Sequence, residues 1–503
     1  MTRLSAREMI GGLVDEGSWA SWDLALPDVG ASAEYANELA CARMKAGIDE
    51  SVLTGAASIR GHRVAILICE FGFLGGSIGV GAGDRLTTAI RRATAERLPL
   101  LVLPTSGGTR MQEGTTAFLQ MVRITAAVAD HKAARLPYLV YLRHPTTGGV
   151  FASWGSLGHL TLAEPGAMIG FLGPRVYEAL HGRPFPPGVQ TAENLYRRGL
   201  LDAVCRPDEL ADFVARTLNI ILPQCRPSSL ASVPGPVPDA VPAWISVSAS
   251  RHRDRPGVRE LLRVAASQFV CLQGTGQGEV DPALMVGLVR FDDVSCVLLG
   301  QDRSAQADTP IGPAGLRQAR RGMRLAAELG LPLVSVIDTP GGALTPAAEE
   351  GGIAGEIARC IADMITVEVP TLSVLLGQGT GGAALALFPA DRILGATHGW
   401  LSPLPPEGAS AILHHTTQRA AEMAERQGIR SADLLANGAL DGIIPEYPDA
   451  RGEPEKFCIR VAAAIRRELA SLATVDAATR LRRRTLRFDG LARMMPAVAA
   501  ESA

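Results

Sequence analysis

Pro137-Tyr-Leu-Val-Tyr-Leu-Arg-His-Pro-Thr-Thr-Gly-Gly-Val150 decides how this chain is read, because it returns as Pro370-Thr-Leu-Ser-Val-Leu-Leu-Gly-Gln-Gly-Thr-Gly-Gly-Ala383. Each copy is a short apolar run opened by proline, followed by a glycine pair and then a stretch with helical character. A buried strand that passes through glycines into a helix start makes a backbone anion site. Glycine lets the main chain approach a ligand closely, and the first helical N–H groups have no internal partner. Two such elements point to an enzyme that stabilises two separate negative charges.

The echo extends beyond the quoted stretch. Pro99 and Pro332, Pro137 and Pro370, Gly149 and Gly382, Ala163 and Ala396, and Gly166 and Gly399 are all 233 residues apart. Asp202 and Asp441 are 239 apart, the slip that one loop insertion produces. The reading is a tandem duplication of an α/β domain. Strands are expected at Val52–Ile59, Arg63–Glu70, Leu98–Leu103, Leu284–Phe291, Ser295–Gly300 and Leu331–Ile337. Helices are expected near Ser32–Gly47, Asp84–Arg97, Thr115–Ala134 and Ala314–Leu329. The Pro/Ser-rich, aperiodic stretch 222–243 reads as a linker. The expected domains are therefore 1–225 and 244–475, with a linker at 226–243 and a tail at 476–503.

At 503 residues the chain is long enough for two well-buried cores. Its net charge of −2 gives no electrostatic case for nucleic acid or a membrane surface. Mean hydropathy is +0.16, a surplus most simply absorbed at interfaces between domains or subunits. No apolar run approaches the ~20 residues of a membrane helix, and the first ten residues lack the apolar core of a secretory signal. A cytoplasmic protein is expected. The eight cysteines are scattered without a Cys-x-x-Cys, and the histidines show no ligand spacing, so no metal is expected. The only lysines are Lys45, Lys132 and Lys456. None follows glycine as in a Walker loop, and none has the context of a biotinylated lysine.

With those residues in view, the chain resembles the carboxyltransferase of biotin-dependent acetyl-CoA and acyl-CoA carboxylases. The β-type and α-type subunits look fused in one chain. The resemblance rests in the first half on Phe73-Leu-Gly-Gly-Ser-Ile-Gly79, Ser106-Gly-Gly-Thr-Arg-Met-Gln-Glu-Gly114, Pro145-Thr-Thr-Gly-Gly-Val150 and Gly199-Leu-Leu-Asp202. In the second half it rests on Gly300-Gln301, Ile337-Asp-Thr-Pro-Gly341, Gly377-Gln-Gly-Thr-Gly-Gly-Ala383 and Pro406-Glu-Gly-Ala-Ser-Ala-Ile-Leu413. It implies two tandem crotonase-like ββα superhelix domains, the first taking acyl-CoA and the second biotin. It also implies an active site between the first half of one subunit and the second half of another, in a homodimer, with a hexamer as the alternative. The implied partners are a biotin carboxyl carrier protein, which holds the biotin covalently, and a biotin carboxylase. Three departures stand out: the β-type zinc ribbon is missing, Thr109 replaces a usual alanine, and Leu385 replaces an aspartate of some propionyl-CoA enzymes.

Carboxyl transfer to an acyl-CoA creates an enolate oxygen on the thioester and charge on the biotin ureido oxygen. Each needs preorganised N–H donors rather than a side-chain nucleophile. By resemblance, Gly148 and Gly149 would hold the thioester oxygen, and Gly382 and Ala383 the ureido oxygen. Gly75, Gly76, Ser106, Gly107, Gly108, Gly341 and Gly342 would line the substrate site. The plain alternative is that these glycines only permit tight packing, with Asp338 a turn cap. The product would be malonyl-CoA or a homologue, as a supply for fatty acid synthesis. A malonyl-thioester decarboxylase of the same fold and an inactive scaffold subunit are the alternatives. Two rival motifs carry less. Gly377-x-Gly379-x-x-Gly382 spells a dinucleotide fingerprint without the acidic residue about twenty positions on. Gly75-Gly-Ser-Ile-Gly79 spells a nucleophile elbow on Ser77 with no Asp/His order. Arg317, Arg320, Arg321 and Arg324 form a stripe that reads as a solvated face, or as a dock for an acidic carrier or CoA phosphates. Arg480-Leu-Arg-Arg-Arg484 reads as a solvated or interface helix end.

Overall fold

A computed structural model describes residues 3–26, 32–222 and 241–489. The chain divides into two compact units, Met1–Ile221 with Gly276–Glu279 and Leu222–Thr275 with Val280–Ala503. Of the linker expectation, residues 226–240 lie outside the described residues, as do 490–503 of the tail. Among the described residues no helix is long and apolar enough to cross a membrane.

The first unit is built on a sheet ordered Ala20–Ser21, Val52–Ile59, His62–Cys69, Leu100–Leu103, Tyr138–Leu142, Leu160–Ala163, Ala203–Val204. The second unit repeats the plan with Gln268–Leu272, Leu284–Phe291, Val294–Gln301, Leu333–Thr339, Thr371–Thr380, Arg392–Ala396, Gly442–Ile444. In both, the first three strands pair antiparallel and all later pairs are parallel. The change of direction follows from the connections. A tight turn joins Ile59 to His62 and Phe291 to Val294, whereas helices join the parallel strands. In the first unit these are Val80–Ala95 and Gly114–Ala133; in the second, Pro313–Leu329 and Ile353–Thr366.

Four prolines show why the strands start where they do. The carbonyls of Pro99 and Pro137 accept from Ala65 and Leu100 at 2.9 and 2.8 Å. Those of Pro332 and Pro370 accept from Val297 and Leu333 at 2.8 and 2.9 Å. At the first position of a strand the missing N–H costs no ladder bond, while the carbonyl still serves the neighbour. The parallel strands then read as near-continuous apolar runs because helices cover them. Leu100, Val102, Tyr138 and Val140 lie under Leu86, Ile90, Ile124 and Val128 in one core. Val334, Val336, Leu372 and Val374 lie under Phe457, Val461, Ile465 and Leu469 in the other.

Several expectations need correction. The helix expected after each glycine pair is a single turn, Gly148–Phe151 and Gly381–Leu385. The helices Ala243–Arg251 and Val258–Ala265 and the strand Gln268–Leu272 were not anticipated. Three of the four stripe arginines are half-buried and engaged rather than solvated. Arg320 pairs with Asp363 at 2.7 Å and Glu356 at 3.3 Å, and Arg317 with Glu356 at 3.4 Å, tying Pro313–Leu329 to Ile353–Thr366. Arg321 donates to the carbonyls of Gln273 and Gly274, and Arg324 alone of the four is exposed. The tail run is only half solvated: the helix Ala477–Leu486 buries Arg480 and Arg484 and leaves Arg482 and Arg483 exposed. Arg484 donates to the carbonyls of Met364 at 2.9 Å and Val367 at 2.7 Å, capping the helix Ile353–Thr366.

A buried clamp locks the second unit beneath its glycine turn. Arg255 and Glu446, both with fully buried side chains, form paired bonds of 2.6 and 2.8 Å, and Arg255 also donates to the Leu376 carbonyl at 2.7 Å. Burial pushes the Glu446 carboxyl up, but the Arg255 guanidinium outweighs it and holds it below the ordinary range. A depressed carboxylate contributes stability that is present above its unfolded value and is lost as pH falls through the folded one. Glu446→Gln should therefore cost about 3–5 kcal/mol at neutral pH by leaving a buried guanidinium uncompensated. Urea denaturation should show this gap closing below ~pH 4. A pH-independent gap would show that the pair's charge is not what stabilises the unit.

Candidate active sites

In the first unit three glycine turns meet at the ends of three successive parallel strands. The turn after Leu100–Leu103 is zipped to the turn after Tyr138–Leu142: Ser106 N–H donates to the Pro145 carbonyl at 2.8 Å and Thr147 N–H to the Ser106 carbonyl at 2.9 Å. Gly107 N–H donates to the Gly75 carbonyl at 2.9 Å. A Cβ on Gly76 would stand 2.1 Å from the Thr105 carbonyl oxygen, so only glycine fits there. A Cβ on Gly108 would lie 3.5 Å from the Gly149 nitrogen. Gly75, Gly76, Ser106, Gly107, Gly108, Gly148 and Gly149 thus form one cluster.

Gly148 takes φ +65°, the left-handed conformation that turns the chain out of the strand. Its N–H donates to the Phe171 carbonyl at 3.0 Å. Of the expected pair Gly148 and Gly149, the Gly148 N–H is therefore already engaged. The next two N–H groups, of Gly149 and Val150, have no acceptor among the described residues. Gly149 is small for a packing reason as well: a Cβ would press on Thr109 Oγ1 at 3.3 Å and Met121 Cγ at 3.4 Å.

The second unit builds the same turn. Gly381 takes φ +66°, and the N–H groups of Gly382 and Ala383 have no acceptor among the described residues. A Cβ on Gly382 would stand 2.7 Å from Ile357 Cδ1, on the helix Ile353–Thr366. One on Gly342 would be 3.7 Å from the Ala383 methyl. Gly341, Gly342, Gly382 and Ala383 are therefore together. The neighbouring turns match bond for bond. Ser106 Oγ accepts from Gly108 N–H at 3.0 Å, and Thr339 Oγ1 accepts from Gly341 N–H at 3.1 Å. Arg110 N–H reaches the Ile78 carbonyl at 3.0 Å, as Ala343 N–H reaches that of Ile311 at 2.8 Å.

Side chains behind these turns fix them in place. Gln301, fully buried, donates to the Ala383 carbonyl at 2.8 Å and accepts from Asp338 N–H at 3.1 Å. Asp338 is a strut rather than a turn cap. Its carboxylate accepts from Gln378 N–H at 3.0 Å and pairs with Arg303 at 3.2 Å, and burial pushes its carboxyl up. A Cβ on Gly377 would stand 2.5 Å from that carboxylate, which explains the glycine. In the first unit Arg110 plays the comparable part. It is 1% exposed, pairs with Glu50 through two bonds and donates to the Ser77 carbonyl at 2.8 Å. Burial works against its charge, but Glu50 holds the guanidinium above its ordinary value. The sequence did give one signal for Gln301, a lone amide closing an apolar strand. It gave none for Glu50, which meets Arg110 from 60 positions away.

The rival motifs lose their geometry. Gly377 and Gly379 lie inside the strand Thr371–Thr380, not in a loop that could wrap a pyrophosphate. Ser77 Oγ meets Arg110 Nε at 3.4 Å, and no histidine bonds to it among the described residues. Leu385 ends its helical turn 46% exposed.

Comparison with known proteins agrees with this geometry. Residues 1–485 match the carboxyl transferase domain family. The chain is 58% identical over 489 residues to the probable biotin-dependent acyl-coenzyme A carboxylase beta3 subunit of Mycobacterium tuberculosis, covering 97% of this chain and 98% of that one. It is 36% identical to the acetyl-coenzyme A carboxylase carboxyl transferase subunits beta/alpha of Salinispora arenicola, covering 98% and 92%. Among solved structures it superposes on transcarboxylase 12S with methylmalonyl-coenzyme A bound, with TM-score 0.73 at 18% identity, covering 94% and 90%. It also superposes on a single-chain, multi-domain long-chain acyl-CoA carboxylase, with TM-score 0.72 at 18% identity, covering 92% of this chain and 46% of that one. The fold is thus the two-domain, crotonase-like α/β architecture of the carboxyltransferases. On the match of nearly its whole length, this chain belongs to the carboxyl transferase domain family.

Proposed function

We propose that the chain is the carboxyltransferase component of a biotin-dependent acyl-CoA carboxylase, moving a carboxyl group to a short acyl-CoA such as acetyl-CoA or propionyl-CoA. The observation that carries this reading is the pair of matching turns, each presenting two adjacent N–H groups without an acceptor. Carboxybiotin on a carrier protein supplies the carboxyl group. The chain's own part is to hold two oxygens while charge develops on them. Gly149 and Val150 would receive the thioester oxygen of the acyl-CoA, and Gly382 and Ala383 the ureido oxygen of the donor. The donors are main chain, fixed by Gln301 and by the zipped turns, so they need no reorganisation when charge appears. The partners of this reading are the biotin carrier protein and its biotin carboxylase, with the chain assembled as a homo-oligomer.

Two further readings share the fold, a malonyl-thioester decarboxylase and an inactive scaffold, and one assay separates the three. The chain should carboxylate acetyl-CoA or propionyl-CoA only when biotinylated carrier, biotin carboxylase, ATP and bicarbonate are all present. Malonyl-CoA turnover that ignores biotin would establish the decarboxylase. Failure with every acyl-CoA would leave the scaffold.

The donor assignment is tested separately. Proline removes the N–H at modest volume and is tolerated in a first helical turn. Gly149→Pro and Ala383→Pro should each lose at least ~10²-fold in kcat, while Ala383→Gly, which keeps its donor, should stay within about threefold on the same scale. Each variant is compared at matched unfolding midpoint. A folded proline variant with near-normal turnover would remove the assignment for that unit.

A further inference from the structure

We propose that the cavity beneath the helix Ala477–Leu486 is a binding site for a phosphate group, free or carried on a small metabolite. The cavity measures about 200 Å³ and is lined by Arg392, Arg480, Arg483, Arg484 and Arg487 against Asp391 and Asp441. Five guanidinium groups face two carboxylates. Glu468, which pairs with Arg392 at 2.9 Å, still leaves an excess of positive charge.

A hydrogen-bond census locates that excess. Arg484 is spent: it holds Asp391 through both carboxylate oxygens and caps the helix Ile353–Thr366. Asp391 also accepts from the N–H and hydroxyl of Thr371 at 2.8 and 3.1 Å. Asp441 is divided among Arg392, Arg487 and the Ile393 N–H. Among the described residues Asp391 Oδ1 and Asp441 Oδ1 each accept a single bond, yet neither is bonded by the remaining Nε–H donors. Arg480 is 9% exposed; its terminal nitrogens donate to the carbonyls of Val475 and, at 3.0 Å, Glu368, while its Nε–H is buried without an acceptor, 3.9 Å from the nearest Asp391 oxygen. Arg487 likewise spends its terminal nitrogens on Asp441 and the carbonyls of Asp391 and Ala439, and leaves its Nε–H buried and unpaired. Arg483 is exposed and bonds to no side chain among the described residues. A buried donor without an acceptor is costly, and two of them beside a free guanidinium call for a multivalent oxyanion.

Phosphate fits this demand in charge, geometry and size. The guanidinium fork matches phosphate oxygens, and its charge survives burial. About 200 Å³ is the room of roughly six to seven waters at ~30 Å³ each. That takes a phosphate group with bridging waters, but not a base and sugar as well.

The test titrates the full-length chain with inorganic phosphate at constant ionic strength, read by calorimetry and by the unfolding midpoint. One saturable site per chain is expected, with the midpoint rising as phosphate is added. Arg483→Ala, which removes no internal bond, should weaken binding about tenfold on the scale of a lost charge-assisted contact. A parallel titration with adenosine 3′-phosphate separates the sources. Tighter binding with the same Arg483 dependence shows that the phosphate arrives on a metabolite; equal or weaker binding shows the free ion. No saturable binding, or binding indifferent to Arg483→Ala, overturns the proposal and leaves a structural arginine cluster bridged by water.

Discussion

A main chain can cross another at van der Waals distance only where no Cβ intervenes, and both units are organised around such crossings. In the first unit, Gly76 passes under the Thr105 carbonyl and Gly108 faces the Gly148–Gly149 peptide. In the second, Gly379 passes the Trp400 carbonyl and Gly399 the Leu375 carbonyl, while Gly377 and Gly382 make room for the side chains of Asp338 and Ile357. These contacts force the ends of successive parallel strands into line. The prolines at the opposite ends of the strands set their starting register without costing a ladder bond. Helices then cover the faces, and what remains outward at each crossing is a short run of unengaged N–H groups. The candidate chemistry is thus a by-product of how the strand ends are packed.

Much of this was legible in the sequence because duplication printed it twice. A constant spacing of 233 between prolines and glycines identified the joints of the fold. Strong periodicity placed Val52–Ile59 and Leu284–Phe291 at their observed ends. Ser32 and Gly47 were read as the limits of a helix and do cap it at 33–46. What failed to be legible depends on partners distant along the chain. Nothing near Gly148 shows that its N–H belongs to Phe171, which shifts the unengaged pair one residue on, to Gly149 and Val150. Helical spacing put four arginines on one face but could not say that the acids of Ile353–Thr366 lie against it. The tail was half read for the same reason, since charge pattern alone cannot distinguish the solvated Arg482 and Arg483 from Arg484, which caps a helix.

Arginine carries the internal electrostatics almost unaided, in a chain with three lysines. Arg110, Arg255 and Arg484 are each buried, and each joins a carboxylate to backbone carbonyls from another part of its unit. A planar fork with five donors and a charge that persists in a dry interior suits this work; an ammonium would meet fewer acceptors and shed its proton more readily. The two units use the device differently. Arg110 has its counterpart in Ala343, and behind the second turn its place is taken by Gln301, Asp338 and Arg303. The duplicated backbone has been kept while the side chains supporting it have diverged.

Placing donors in the main chain also shapes how the site can change by inheritance. Every amino acid except proline supplies the same N–H, so nearly all substitutions at these positions leave the donor itself untouched. The genetic code adds a second layer of protection. Glycine and valine codons differ from proline codons at two bases, so Gly149, Val150 and Gly382 are shielded from loss by any single-base change. Alanine codons differ at one base only, which leaves Ala383 as the donor most open to mutation. On the proposed reading, the surrounding walls can drift toward new acyl chains while the N–H groups stay constant, a route by which one duplicated scaffold can diversify its substrates without rebuilding its chemistry.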